Sequence, residues 1–135
     1  MARILVVEDE EDILNLIRIR LRKAGHQVAA VSRPDEALQL VEQASPDLVV
    51  LDVGLPGMNG LELLEELRRK PALNDIPAIF LSAHVQEKDV EAGRSMGAVY
   101  LTKPFVATAL INAIAEILDD RAEQTASSGS TDPYQ

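Results

Sequence analysis

Short apolar runs alternate with helical patterns along almost the whole chain, and that alternation narrows the fold to one class. The runs are Arg3–Val7, Gln27–Val31, Leu48–Leu51, Ala78–Leu81 and Val99–Leu101. Each suits a strand and is too short for a helix of its own. Between them lie Asp12–Ala24, Pro34–Ala44, Leu61–Lys70 and Glu87–Met96, and a fifth helical pattern covers Val106–Arg121. Apolar side chains recur at helical spacing: Ile13, Ile17 and Leu21 in the first, Ala37, Leu38 and Val41 in the second, and Leu110, Ile114, Ile117 and Leu118 in the last. Helices with one apolar face pack on a sheet. Strands alternating with such helices over short connections give an α/β fold, with a parallel sheet covered on both faces.

Local signals agree with these boundaries. Gly25 follows the first helix, Pro71 the third and Gly97 the fourth, while Pro34 suits the first turn of the second, after Ser32 or Arg33. Asn59 stands where it can cap the third helix. Gly60 after it is expected to take a backbone angle that other residues avoid. Past Arg121 the periodicity stops and little is apolar, so residues 1–121 read as one domain and 122–135 as a disordered tail or linker.

Composition excludes several classes of function. With no cysteine there is no disulfide framework and no thiolate metal site. No apolar run approaches the roughly 20 residues of a membrane span. The apolar stretch Ile4–Val7 is too short for a signal peptide, so a cytoplasmic protein is expected. A net charge of −9 repels nucleic-acid backbones and anionic lipid surfaces, so neither direct nucleic-acid binding nor membrane association is expected. The basic cluster Arg18, Arg20, Arg22 and Lys23 falls in the last turns of a helix, where cations complement the helix dipole.

In a parallel sheet all strands end on the same side, and ligands of open α/β sheets bind there. The first strand runs into Glu8-Asp9, the third into Asp52, the fourth into Ser82 and the fifth into Lys103. Any one of these is unremarkable; Asp52 alone, before Gly54, Pro56 and Gly57, reads equally well as a loop cap. Together they gather three carboxylates, a hydroxyl and an ammonium. Two carboxylates about 4 Å apart repel by roughly 4 kcal/mol at an effective dielectric near 20. A cluster of that kind holds protons or a divalent cation. Oxygen ligands without His or Cys suit Mg²⁺. A carboxylate beside Mg²⁺, a lysine and a hydroxyl is equipped to accept a phosphoryl group as a nucleophile.

These residues stand in segments that resemble the response-regulator receiver domain, the phosphoacceptor module of two-component signalling. The resemblance covers about residues 3–120 and rests on Ile4-Leu5-Val6-Val7-Glu8-Asp9-Glu10, Leu51-Asp52-Val53-Gly54-Leu55-Pro56-Gly57-Met58-Asn59-Gly60, Leu81-Ser82-Ala83 and Tyr100-Leu101-Thr102-Lys103-Pro104-Phe105. It implies a flavodoxin-like doubly wound five-stranded sheet of order 2-1-3-4-5 with five helices. It implies Asp52 as phosphoacceptor, with Ser82 and Lys103 on the phosphoryl oxygens. Asp9, Asp52 and the carbonyl of Gly54 would hold Mg²⁺ directly, Glu8 mainly through metal-bound water. Tyr100 would turn inward when Ser82 moves, and the Lys103–Pro104 bond would be cis. Glu8 stands where many relatives carry Asp, and Ser82 where Thr is commoner. In the family, the positions of Gly54 and His84 help set the dephosphorylation rate; a solvated loop residue is the simpler reading of His84, and a structural one that of His26.

The implied partners are a histidine kinase or histidine phosphotransfer protein and an unknown downstream protein. The expected role is signalling, with self-phosphorylation and self-dephosphorylation chemistry only, and no enzymatic turnover of a free substrate. The chain reads as a stand-alone receiver or as the N-terminal receiver part of a larger regulator; no segment resembles a helix-turn-helix output module. The face around Asn15, Arg18 and Arg22 is a kinase-docking candidate by resemblance, and Ile111 is expected to be exposed. A flavodoxin-type cofactor binder is disfavoured by the five acids Glu8–Asp12 where a flavin phosphate would sit. A phosphohydrolase is disfavoured by Gly54, where that class places a second Asp.

Overall fold

The structure, a computed structural model, describes residues 2–83, 91, 95 and 97–122. Five strands, β1 Arg3–Val7, β2 Gln27–Val31, β3 Leu48–Asp52, β4 Ala78–Ser82 and β5 Val99–Thr102, form one sheet of order β2-β1-β3-β4-β5. Every pairing is parallel. The described residues contain four α-helices where five were expected: α1 Glu11–Lys23, α2 Pro34–Gln43, α3 Gly60–Arg68 and α4 Ala107–Ala122. The helix expected over Glu87–Met96 falls mostly outside the described residues, as do His84 and the expected tail beyond Ala122. No helix among the described residues is long and apolar enough to cross a membrane.

Alternation along the strands divides the core in two. Leu5, Val7, Val49, Leu51 and Phe80 pack with Ala37 and Val41 of α2 and Leu63, Leu64 and Leu67 of α3. Their strand neighbours Ile4, Val6, Leu48, Val50, Ile79 and Leu81 face the other way, against Ile17 and Leu21 of α1 and Leu110 and Ile114 of α4. Successive side chains on a strand point to opposite faces, so a continuous apolar run fills both cores at once. Ile111 is half-buried and packs on the second core, not exposed as expected, because α4 lies with a broad face on the sheet.

β3 and β4 each run one residue beyond their apolar runs. Asp52 stays in register with Leu81, and Ser82 with Thr102. A polar side chain ends the hydrophobic pattern but not the backbone ladder.

The loop from β3 to α3 is held from both ends. Asn59 Oδ1 accepts from Glu62 N–H at 2.9 Å and Glu62 Oε1 accepts from Asn59 N–H at 3.1 Å, a reciprocal cap. Among the described residues the positive-φ positions are Gly25, Gly57 and Gly97 (φ +98°, +81° and +70°); Gly60 is not one of them. Its requirement is space: a Cβ there would lie 2.5 Å from the Asp52 carbonyl oxygen. At the far end of α3, Arg68 Nη2 donates to Ile76 O at 2.8 Å and ties the helix to the approach of β4.

Candidate functional site

The strand register brings Glu8, Asp52, Ser82 and Lys103 to one edge of the sheet. Val7 pairs with Leu51, so Glu8 follows β1 level with Asp52. Lys103 N–H donates to Ser82 O at 2.8 Å and carries the ladder past β5. Glu8 N–H donates to Val31 O at 3.2 Å, so Glu8 and Lys103 are both held by backbone bonds.

Glu8 is fully buried, and each of its oxygens has a partner. Oε1 lies 2.7 Å from the Lys103 ammonium and Oε2 accepts from Glu10 N–H at 3.0 Å. Asp52 is buried, with Oδ1 accepting from Gly54 N–H at 3.1 Å and Oδ2 3.5 Å from Lys103 Nζ. Asp9 is exposed at the rim. One carboxylate oxygen from each of Glu8, Asp9 and Asp52 lies within 4.8 Å of the others, close enough to share one metal ion. Ser82 is buried beside them on β4. Gly54 is exposed, and a Cβ on it would reach only 3.9 Å from Asp52 Oδ1, so that oxygen is not crowded on that side.

The electrostatics follow from this crowding. Burial, a hydrogen bond with the Asp9 side chain and the Glu8 charge push Asp52 from 3.8 up to about 7, while Gly54 N–H and the Lys103 ammonium pull it down. Asp52 therefore keeps a proton to higher pH than an ordinary aspartate unless a cation offsets the crowding. Burial alone would lower Lys103; its hydrogen bond to Glu8 and the charges of Asp52, Glu8 and Glu10 outweigh that and raise it.

Other sequence expectations fall around the site. Tyr100 is half-buried on β5, its ring centroid 5.2 Å from that of Phe80 and tilted by 38°. The Lys103–Pro104 bond is cis. His26 precedes β2 at the opposite edge of the sheet, where burial lowers its pKa. Arg20, Arg22 and Lys23 do occupy the last turn of α1. Sequence reasoning missed one contact: Glu10 Oε1 lies 3.4 Å from Lys103 Nζ. The two residues stand at opposite ends of the chain, so no local signal in the sequence could have found the contact.

Comparison with known proteins decides the family. The family model described as response regulator receiver domain matches residues 4–115. The chain belongs to the response regulator receiver family. This receiver is 41% identical over 104 residues to the alkaline phosphatase synthesis transcriptional regulatory protein PhoP of Bacillus subtilis, covering 76% of this chain and 42% of that protein. It is 37% identical over 119 residues to the phosphate regulon transcriptional regulatory protein PhoB of Rhizobium meliloti, covering 87% and 52% respectively. The receiver therefore spans about half the length of these curated relatives. Among solved structures it resembles a CheY-like response regulator receiver domain protein from Methanospirillum hungatei, with a TM-score of 0.84, 27% identity and coverage of 93% of this chain and 99% of that one. It also resembles the signal receiver domain of a signal transduction histidine kinase from Syntrophus aciditrophicus, with a TM-score of 0.82, 29% identity and coverage of 97% and 99%.

Proposed function

We propose that Asp52 is the phosphoacceptor of this receiver and takes its phosphoryl group from a phosphohistidine of a histidine kinase or histidine phosphotransfer protein. The observation that carries this is the placement of a buried, solvent-reachable Asp52 carboxylate between an acidic cluster and a buried ammonium. One oxygen of Asp52 attacks phosphorus. The P–N bond breaks, its electron pair leaves with the ring nitrogen, and the ring takes up a proton from water. Lys103 and Ser82 contact the phosphoryl oxygens, and neither needs to give up a proton to do so.

The donor set fits Mg²⁺: hard carboxylate oxygens that share one point, with more negative charge than Lys103 offsets. Asp9, Asp52 and the Gly54 carbonyl would hold the ion, with Glu8 acting mainly through bound water. When bound, Mg²⁺ offsets charge on the transferring group. Once Asp52 is modified, Lys103 leaves its carboxylate partners for the phosphoryl oxygens, Ser82 follows, and Tyr100 turns inward. That alters the surface offered to a downstream protein. The chemistry is confined to the domain's own phosphorylation and hydrolysis, in the cytoplasm. Coverage of about half of PhoP and PhoB is consistent with a second architecture, in which residues 1–121 are the receiver part of a longer regulator and 122–135 begin its linker, as it is with a stand-alone receiver.

Incubation with acetyl phosphate or beryllofluoride, with and without Mg²⁺, tests the assignment. Mg²⁺-dependent modification is expected in the wild type and none in Asp52→Ala. Equal modification of both would sink it.

A further inference from the structure

Glu10 occupies an unusual position for a charged side chain. It is the N-cap residue of α1, yet its carboxylate makes no capping bond to the helix it begins. Its backbone serves the helix instead: Leu14 N–H donates to Glu10 O at 2.9 Å. Its own N–H is held by Glu8 Oε2 at 3.0 Å, so the residue is fixed relative to the buried acid of the site. From there the side chain turns to Lys103, reaching the ammonium at 3.4 Å across 93 positions of sequence. The two ends of that contact differ sharply. Lys103 is 9% exposed, whereas Glu10 is 60% exposed and stands at the mouth.

We propose that Glu10 is a positioning residue, a resting-state counter-ion that holds Lys103 and screens the mouth against strongly anionic small phosphodonors. The proposal rests on the phosphoacceptor reading of Asp52 above. Two effects of the same carboxylate point in one direction. Lys103 must exchange carboxylate partners for phosphoryl oxygens, and Glu10 is the partner most exposed to solvent and so the easiest to lose. Before that exchange, a dianionic donor approaching Asp52 passes a carboxylate that no capping bond engages. A protein donor docked over the mouth covers Glu10 and brings its own groups to meet it; a free donor has nothing with which to offset the repulsion. Glu10 thereby biases the site toward donors delivered by a partner protein.

The test compares wild type, Glu10→Gln and Glu10→Asp at saturating Mg²⁺, with acetyl phosphate as a dianionic donor and phosphoramidate as a less negative one. Glu10→Gln is expected to raise the rate constant for acetyl phosphate at low donor concentration about twofold to fivefold at low salt. The gain should appear as a lower half-saturating donor concentration, be smaller for phosphoramidate, and vanish near 1 M salt, where the screening length is about 3 Å. Glu10→Asp keeps the charge and should stay near wild type. A merely structural role would shift both donors alike at every salt concentration, and that result, or no change at all, overturns the proposal. Asp52→Ala runs in parallel. If that variant is still modified, the phosphoacceptor reading has failed; if it is inert while Glu10→Gln matches wild type, only the role of Glu10 has.

Discussion

Asp52 combines two demands that conflict in the metal-free protein. As the proposed phosphoacceptor it must be ionised to attack phosphorus, yet burial first, then the Asp9 side chain and the Glu8 charge, push its pKa up to about 7 from 3.8. The sign of the resulting pH dependence is fixed. Between about pH 4 and 7 the folded chain binds a proton that the unfolded chain has lost, so this contribution to stability falls as pH rises through that window and stays low above it. Asp52→Asn should remove that dependence and, at pH 8 in chelator, stabilise the fold by on the order of 1–3 kcal/mol. Urea denaturation at pH 5 and pH 8 checks this, and a variant no more stable than wild type at pH 8 would count against it. Because Mg²⁺ must displace the same proton, its apparent affinity should fall up to tenfold per pH unit below 7, which calorimetric titration measures.

At the scale of elements, α3 is built against the backbone of Asp52. The space at Gly60 and the cap at Asn59 are adjacent in sequence but serve different ends, and substitutions separate them. Asn59→Ala should cost about 1 kcal/mol of stability through the lost cap, with Asp52 modified at a near-normal rate. Gly60→Ala places a methyl group 2.5 Å from the Asp52 carbonyl oxygen and should cost more, about 2–3 kcal/mol, while also slowing beryllofluoride binding. If both variants lost binding equally, the distinction would be wrong. The same elements differ in how openly the amino-acid sequence declares them. The apolar runs report all five strands because a doubly covered strand is apolar on both faces. They end one residue early at Leu51 and Leu81, where backbone pairing outlasts hydrophobicity. The special angle expected at Gly60 is absent because a glycine required for space and one required for φ look alike in sequence. Gly57, with φ +81°, is where the turn needs the angle. The Glu10–Lys103 contact joins opposite ends of the chain, and no local pattern reports it.

At the scale of the molecule, Mg²⁺ bound as proposed would link the site to global stability. An ion that binds only the folded chain stabilises it by about 2.7 kcal/mol at a hundred times its Kd. The melting temperature should therefore rise with added Mg²⁺, return on chelation, and respond far less in Asp52→Asn; an equal rise in both would place the ion elsewhere. Folding also governs the chemical lifetime of the chain. Asn59-Gly60 is the dipeptide most prone to deamidation, which begins when the glycine nitrogen attacks the asparagine amide carbon. In the folded protein that nitrogen donates to Val53 O at 3.1 Å, and the amide oxygen is held by Glu62 N–H. The unfolded chain has neither restraint. Isoaspartate at position 59 would then accumulate in proportion to the time each molecule has spent unfolded, so the cap that starts α3 also keeps a record of ageing.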